Sequence, residues 1–461
     1  MGDAPIINER SAKARSPNPR KRGASAQARL ESDSDEGESD IEDPEARAKR
    51  VRLSSEPEPD LHHQIRSVEA FTVEDNEGQF AMVHAADIAA KNKPAKFKPA
   101  FPGYPDRRLV SLQYPSASPV ERYGTTKSQS PASTLLNEHR YELVDPIQSD
   151  EFNALDEIRE VIIIITDLYF PTSEASSIRD ETHGLLRRLK RAMAKRQADD
   201  YIDIIHEWNS IILRLRRDGS LSKTIDSWKG IHLTLVERIL SQTYSRTVSP
   251  RVGLLKQYEN GTDNVYGELL PKFISAILRR DTQITSDKVF VDLGSGVGNV
   301  VLQAALQIGC ESWGCEMMEN ACDLADLQKQ EFNARCRLWG LAVGSINLER
   351  GDFLENSAIG KALKRADVVL VNNQAFTPDL NEALTNLFLD LKEGCLIVSL
   401  KSFVPAGHKI TSRNLNRACN VLEVAEKKYY SNCVSWTDAP GTYFVSKKDS
   451  ARVAAFAEKN T

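Results

Sequence analysis

The chain has no cysteine before Cys310. The seven it does contain, Cys310, Cys315, Cys322, Cys336, Cys395, Cys419 and Cys433, form no C-x-x-C pair and have no companion histidine cluster. That pattern argues against a disulfide framework or a zinc ligand set and leaves the thiols as reduced core side chains. Long apolar runs are missing as well. The longest β-branched run, residues 161–165, falls far short of the roughly 20 apolar residues a membrane-spanning helix needs. The opening stretch MGDAPIINER has no apolar signal core, and Ile6 stands where a myristoylation motif places Ser or Thr. These absences predict an intracellular protein with no membrane partner.

Residues 1–60 lack any sustained apolar period, and their charges come in blocks. Residues 10–29 hold seven Lys or Arg and no acid, residues 31–45 hold nine acids and no base, and residues 47–52 are basic again. The net charge of −5 conceals this segregation. So polar a segment cannot offset the entropy of ordering, which predicts a disordered tail. Its basic blocks suit nuclear import or contact with nucleic-acid phosphate.

Residues 61–135 contain short alternating stretches interrupted by proline, and read as an irregular region with a few strands and a linker. Residues 136–250 read as helical. Leu155, Ile158, Ile162 and Ile165 keep a helical period that ends near Phe170 and Pro171. Further helices are expected over residues 181–196, 200–217 and 229–242. The helix over 181–196 carries Arg187, Arg188, Lys190, Arg191, Lys195 and Arg196 with no acid among them. Such a face suits a solvated helix or a polyanionic partner.

Residues 251–450 carry the chemistry. Residues 288–316 read KVFVDLGSGVGNVVLQAALQIGCESWGCE, which divides into strand, glycine turn, helix and second strand. Gly294, Gly296 and Gly298 permit positive φ and let a ligand approach the backbone. A dinucleotide site wants G-x-G-x-x-G. Here the third glycine falls one place early and Asn299 takes the dinucleotide position. Asp292 before the glycines would repel a pyrophosphate, yet it can attract the ammonium of a methionine moiety. The pattern favours S-adenosyl-L-methionine over a dinucleotide or a bare turn. Glu316, about 20 residues on, can take both hydroxyls of a ribose.

The alternation continues after Glu316, with a helix over residues 319–339, a strand at 345–348, another at 367–371, a helix over 379–392 and a strand at 395–400. Residues 429–434 and 442–446 are expected to close the sheet as an antiparallel pair, and residues 451–461 form a C-terminal tail. Asp292, Glu316, Asp352 and Asn372 all fall at carboxyl ends of strands, where α/β sheets bind ligands. Asp352 can hold an adenine amino group with Phe353 against the ring. Asn372 lies in a turn, Val371-Asn-Asn-Gln-Ala-Phe376, similar to the N/D-P-P-Y/F turn of amino-group methyltransferases but without its prolines. A lysine nucleophile must lose its proton, since its unperturbed pKa is about 10.4. Phe376, Trp436 and Tyr443 are candidate walls of a channel that favours the neutral amine. No metal is required.

Val265-Tyr266-Gly267-Glu268, Val291-Asp-Leu-Gly-Ser295-Gly-Val-Gly298, Gly351-Asp352-Phe353, Val371-Asn372-Asn373 with Ala375-Phe376, residues 399–402 and Val434-Ser-Trp436-Thr occur together and in order. This set resembles the disruptor-of-telomeric-silencing family, the histone lysine methyltransferases without a SET domain, over residues 138–448. The resemblance implies an α/β class I seven-stranded S-adenosylmethionine-dependent fold, preceded by a helical region and a disordered tail. It implies mono-, di- and trimethylation of lysine 79 of histone H3 in nucleosomes, a nuclear location, and roles in telomeric silencing and the DNA damage checkpoint. By position, Tyr266, Gly267 and Glu268 match the loop over the methionine part of the cofactor. Asp292, Gly294, Ser295, Gly296, Gly298 and Asn299 match the glycine loop, Glu316 the ribose ligand, and Asp352 with Phe353 the adenine contacts. Asn372 matches the methyl-transfer centre, and Phe376, Trp436 and Tyr443 the lysine channel. Gln374 and Leu269 stand where animal members have Phe and Thr. The family's dependence on nucleosomal DNA and on H2B ubiquitin implies docking through basic segments 10–29, 47–52 and 187–196. A chromatin-binding scaffold with an inactive fold and a nucleic-acid amino-methyltransferase are the competing readings.

Overall fold

The computed structural model describes residues 60–71, 80–91, 96–103, 109–116, 120–122, 138–149, 151–257 and 267–459. The expected disordered tail with its basic segments 10–29 and 47–52, and Tyr266, lie outside the described residues.

Short strands open the described chain. β1 (Phe80–Met82) precedes α1 (Ala85–Lys91) and β2 (Phe97–Pro99), followed by β3 (Leu109–Gln113), β4 (Val120–Arg122), β5 (Glu138–Glu142) and β6 (Val144–Pro146). They pair as three ribbons, β1 with β4, β2 with β6 and β3 with β5.

The helical region starts at Asn153, whose side chain accepts from the N–H groups of Leu155 and Asp156 and caps α2 (Ala154–Leu168). Leu155, Ile158, Ile162 and Ile165 are buried as their spacing predicts. The helix expected over residues 181–196 is α4 (Leu185–Ala194), and a further helix that the sequence reading did not expect, α3 (Thr172–Arg179), precedes it. The break between them is physical: a Cβ at Gly184 would lie 2.4 Å from the Asp180 carbonyl oxygen, and the Asp180 side chain binds the N–H groups of Thr182 and His183. Then come α5 (Ala198–Arg217), α6 (Ser220–Asp226) and α7 (Leu233–Thr247).

The α/β part runs α8 (Pro271–Ser275), β7 (Val289–Leu293), α9 (Asn299–Gln307), β8 (Glu311–Glu316), α10 (Glu319–Leu338), β9 (Ile346–Arg350), α11 (Ser357–Leu363), β10 (Val368–Val371), α12 (Pro378–Leu387), β11 (Leu396–Ser399), β12 (Leu422–Tyr429), β13 (Gly441–Lys448) and α13 (Ala451–Lys459). Two expectations need correcting here. The first strand of the closing pair lies at Leu422–Tyr429 rather than at 429–434, because this edge strand alternates charged Glu423, Glu426 and Lys428 with few apolar partners and its period is faint. Most of the expected C-terminal tail is the helix Ala451–Lys459.

The seven strands of the sheet lie in the order β12-β13-β11-β10-β7-β8-β9, with β13 antiparallel to both neighbours and the central strands parallel. This is the class I methyltransferase arrangement. From β7 the chain moves outward through β8 to β9, then returns to β10 on the other side of β7. That reversal opens a crevice at the carboxyl ends of β7 and β10, the place where such sheets receive ligands.

The helical region shares one continuous core with the sheet. Ile158, Ile162, Ile205, Trp208, Val236 and Ile239 pack in the same buried cluster as Val301, Leu302 and Leu306 of α9, Phe332 of α10 and Trp339 at the end of α10. The helices therefore brace the two α/β helices that carry the site's loops.

Candidate active site

All five residues of β7 are buried, so the strand holds its carboxyl end firmly. The chain then turns through Gly294, Gly296 and Gly298, with φ of +83°, +54° and +86°, a backbone that a residue with a Cβ rarely adopts. The N–H groups of Gly294 and Ser295 both donate to the Cys315 carbonyl, at 3.0 and 2.9 Å, and Gly298 N–H donates to Ser295 at 2.8 Å. Gln328 on α10 clasps the loop from outside, donating to the Val297 carbonyl at 2.7 Å and to Asn299 Oδ1 at 2.9 Å. The glycine loop is thus preformed and pinned against the end of β8.

Two carboxyl groups face this loop. Asp292 is buried, and desolvation together with the charge of Glu316 pushes its pKa up to about 7. Glu316 ends β8. Its Oε2 accepts from Gly296 N–H at 2.9 Å and its Oε1 from Met318 N–H at 2.8 Å. Burial pushes the Glu316 carboxyl upward against those backbone N–H groups, which favour the charged form. The carboxylate keeps acceptor capacity beyond its backbone N–H partners.

Past β9, Asp352 is exposed and its Oδ1 accepts from Leu354 N–H at 2.8 Å, which orders the turn. The rings of Phe353 and Phe376 stack with centroids 6.4 Å apart. Phe376 also reaches the glycine loop, its ring tip 3.7 Å from where a Gly294 Cβ would stand.

At the end of β10, Asn372 donates its side-chain N–H to the Gly267 carbonyl at 3.0 Å, while its Oδ1 is buried and has no partner among the described residues. A carbonyl can only accept, so the amide nitrogen must face Gly267 and the oxygen must face away. Trp436 closes the other side of Gly267, its ring 2.8 Å from where a Cβ would be. Glu268 is held by an exchange with Ser435: Glu268 N–H donates to Ser435 Oγ and Ser435 N–H donates to the Glu268 carbonyl, both at 2.9 Å.

Asp292, Gly294, Ser295, Gly296, Gly298, Asn299, Glu316, Phe353, Phe376, Gly267, Glu268, Asn372 and Trp436 thus gather around one crevice, with Asp352 at its outer rim. Tyr443 is placed elsewhere. It is fully buried on β13, meets Phe273 edge-on at 5.0 Å, donates its hydroxyl to Asp281 at 2.5 Å and accepts from Arg280 at 3.0 Å. Its hydroxyl is committed to that cluster. Residues 372 and 373 divide two tasks: Asn373 is fully buried, accepts from the N–H groups of Leu400 and Lys401 and donates to the Lys401 carbonyl, stapling β10 to the end of β11. Sequence reasoning passed over Asn373, Ser435 and Gln328 as supports. The first two lie inside quoted motifs, whereas nothing local marks Gln328.

The described residues contain no group of three or more His, Cys, Asp or Glu placed to hold a metal, and no helix long and apolar enough to cross a membrane. The donor set is one of carboxyls, an amide and glycine backbone, which suits a cationic nucleoside.

Comparison with known proteins bears on the family. The model for histone methylation protein DOT1 matches residues 244–448. A protein of Emericella nidulans named histone-lysine N-methyltransferase, H3 lysine-79 specific, is 55% identical over 87% of this chain and 76% of its own length. A protein of the same name from Chaetomium globosum is 45% identical over 84% of this chain and 71% of its own. Among solved structures, an RNA methyltransferase from Salinibacter ruber in complex with S-adenosyl-L-homocysteine is 19% identical over 39% of this chain and 92% of its own, with a TM-score of 0.27. On the strength of the sequence relatives, the chain belongs to the histone methylation protein DOT1 family of histone-lysine N-methyltransferases.

Proposed function

We propose that this protein transfers methyl groups from S-adenosyl-L-methionine to lysine 79 of histone H3 in nucleosomes, in the nucleus, adding up to three to one amine. The observation that carries the reading is Asn372 Oδ1, a buried acceptor without a partner among the described residues, aimed by Gly267 into the crevice between β7 and β10. An unsatisfied buried acceptor is costly, and an entering amine N–H would satisfy it.

When bound, the donor supplies an electrophilic methyl group on a sulfonium. The remaining work belongs to the chain's own residues. Glu268 and Asp292 offer carboxyls to the methionine ammonium, and the glycine loop admits the ligand without a Cβ in the way. Glu316 receives the ribose hydroxyls on oxygens already oriented by Gly296 and Met318. Asp352 and Phe353 flank the adenine, and Tyr266 belongs over the methionine part by its position in the Tyr-Gly-Glu turn. Asn372 Oδ1 orients the substrate nitrogen for in-line attack, where alignment supplies most of the catalytic advantage. Trp436 and Phe376 provide apolar walls that favour the uncharged amine and can hold methylated ammonium products by cation–π contact.

A nucleosome also needs an electrostatic docking face. Arg187, Lys190, Arg191 and Lys195 are exposed on α4, opposite the buried Leu185, Leu189 and Ala192, and suit DNA phosphate. The test is methyl transfer from radiolabelled donor to whole nucleosomes, free histone H3 and naked DNA or RNA. Label on lysine 79 of nucleosomal H3 supports the reading. Label in nucleic acid, or donor binding without turnover on any substrate, overturns it.

A further inference from the structure

We propose that Tyr244 is a positioning residue for the methyl donor, its phenol holding the Glu268 carboxylate where the methionine ammonium binds. This rests on the reading of Glu268 given above.

Tyr244 lies in the last turns of α7, outside the α/β part and outside every motif that marked the site. It lines one cavity together with Glu268, Leu269, Leu270, Asn299, Val300 and Gln303, the entrance of the Tyr-Gly-Glu turn on one side and the first turn of α9 on the other. Within that cavity the Tyr244 phenol stands beside the Glu268 side chain. Burial and the charge of Glu268 push the phenol pKa upward, so the hydroxyl keeps its proton. A protonated phenol facing an ionised carboxylate can only donate. Such a donor sets the orientation of the carboxylate toward the ligand cation.

The ring is fixed as firmly as the hydroxyl. It packs in a buried cluster with Val248, Leu255, Val297, Ala321 and Leu324. Val297 belongs to the glycine loop, and Ala321 and Leu324 belong to the first turns of α10, directly after Glu316. One side chain from the helical region therefore shares a buried cluster with the glycine loop and with the helix that follows Glu316. The backbone of Glu268 is tied separately by Ser435, so the loop stays in place without Tyr244. What the phenol adds is the aim of the carboxylate.

The experiment uses the full chain and a probe pair that separates aim from structure. S-Adenosyl-L-methionine carries the ammonium, whereas 5′-methylthioadenosine keeps the adenosine and sulfur but lacks the amino-acid end. Tyr244→Phe, which retains the ring, is expected to weaken calorimetric binding of S-adenosyl-L-methionine about tenfold and to leave binding of 5′-methylthioadenosine unchanged. In turnover on nucleosomes the KM for the donor should rise while kcat stays within about twofold, the mark of lost uniform binding. In combination with Glu268→Ala, Tyr244→Phe should add no further loss. Equal weakening of both probes, wild-type affinity for S-adenosyl-L-methionine, or additive losses in the double variant would each overturn the proposal. Wild-type donor affinity in Glu268→Ala alone would instead overturn the assignment of Glu268 beneath it.

Discussion

The side-chain amide of Asn372 is fixed by the carbonyl oxygen of Gly267 at 3.0 Å, across 105 residues of sequence. This single bond decides which end of the amide faces the crevice. Replacing Asn372 by Ala should therefore lower kcat about a hundredfold or more through lost alignment, with donor affinity held within about threefold. Single-turnover kinetics and calorimetry on one preparation separate the two effects. Asn372→Asp should fail as well, because a carboxylate has no N–H for Gly267 and would turn or repel the carbonyl. An active Asn372→Ala variant would remove Asn372 from the reaction.

Glu316 serves the donor rather than the acceptor. Its carboxylate is held by Gly296 and Met318 N–H groups, so truncation removes a ribose ligand and also strands two backbone donors. Glu316→Ala should weaken donor binding by about two orders of magnitude, and saturating donor should restore much of the rate. If Asn372→Ala and Glu316→Ala lost donor affinity equally, the division of labour between them would fall.

Asp292 gives the site a pH signature. Its pKa stands at about 7 in the folded protein, against about 3.9 for a free aspartate. Between those values the folded chain keeps a proton that the unfolded chain has lost. The native contribution of Asp292 therefore declines as pH rises from about 4 to about 7, and below that window the group imposes no penalty. A cationic ligand favours the ionised form, so donor binding should release part of a proton near pH 7 and tighten from pH 6 to pH 8. Calorimetry in buffers of different ionisation enthalpy measures the release. Asp292→Asn should abolish it, and should be at least as stable as the parent at pH 8 in the absence of donor. Proton release unchanged in Asp292→Asn would move the titration to another group.

How far this site could be read from sequence depended on distance along the chain. Asp292, the three glycines and Glu316 were readable because one strand-turn-helix-strand unit of under thirty residues contains the whole relationship. The meeting of Gly267 with Trp436 and Asn372 was not, since three distant segments contribute and each alone resembles an ordinary turn. The Asn372 and Asn373 pair shows the same limit within two residues. Both lie in the turn just past β10, where one amide meets Gly267 and the other staples the end of β11, and only the folded turn reveals which. Tyr443 carried a channel role by the family resemblance, yet Asp281 and Arg280 take up its hydroxyl, contacts that no pattern around residue 443 announces. Helix α3 was missed because Ile178 is its one buried residue, so it shows no apolar period.

The core that joins the helical region to the sheet contains a charge pair whose removal should be expensive. Arg246 and Glu157 are both buried, with Arg246 Nη1 to Glu157 Oε2 at 2.9 Å. Desolvation raises the Glu157 carboxyl, but the charge and hydrogen bonds of Arg246 outweigh it and the net shift is downward. Arg246→Met should cost about 3–5 kcal/mol in denaturant unfolding, because it leaves an uncompensated carboxylate beside Tyr141 and Gln242. Adding Glu157→Leu should recover much of that loss. A double variant no more stable than Arg246→Met would show that the bonds to Tyr141 and Gln242, rather than the ion pair, carry the cost.

The basic face of α4 yields the most direct test of nucleosome docking. Arg188 is paired with Glu207 at 2.6 Å and Arg196 with Asp145 at 2.7 Å, so these two are partly neutralised within the fold. Arg187, Lys190, Arg191 and Lys195 are exposed on one side of the helix, with 187, 191 and 195 four residues apart. Each lysine or arginine that meets a phosphate releases a counterion, and steepens the dependence of log affinity on log salt by about 0.9. Replacing all four by Ala should therefore flatten the slope for nucleosome binding by up to about 3 to 4, and lower affinity most at low salt. Donor affinity and the melting temperature should not move, because these side chains touch neither the crevice nor the core. Removing Arg188 and Arg196 instead should change stability more than slope, since each breaks an internal pair. A slope unchanged by the fourfold variant would place the docking charge elsewhere on the protein.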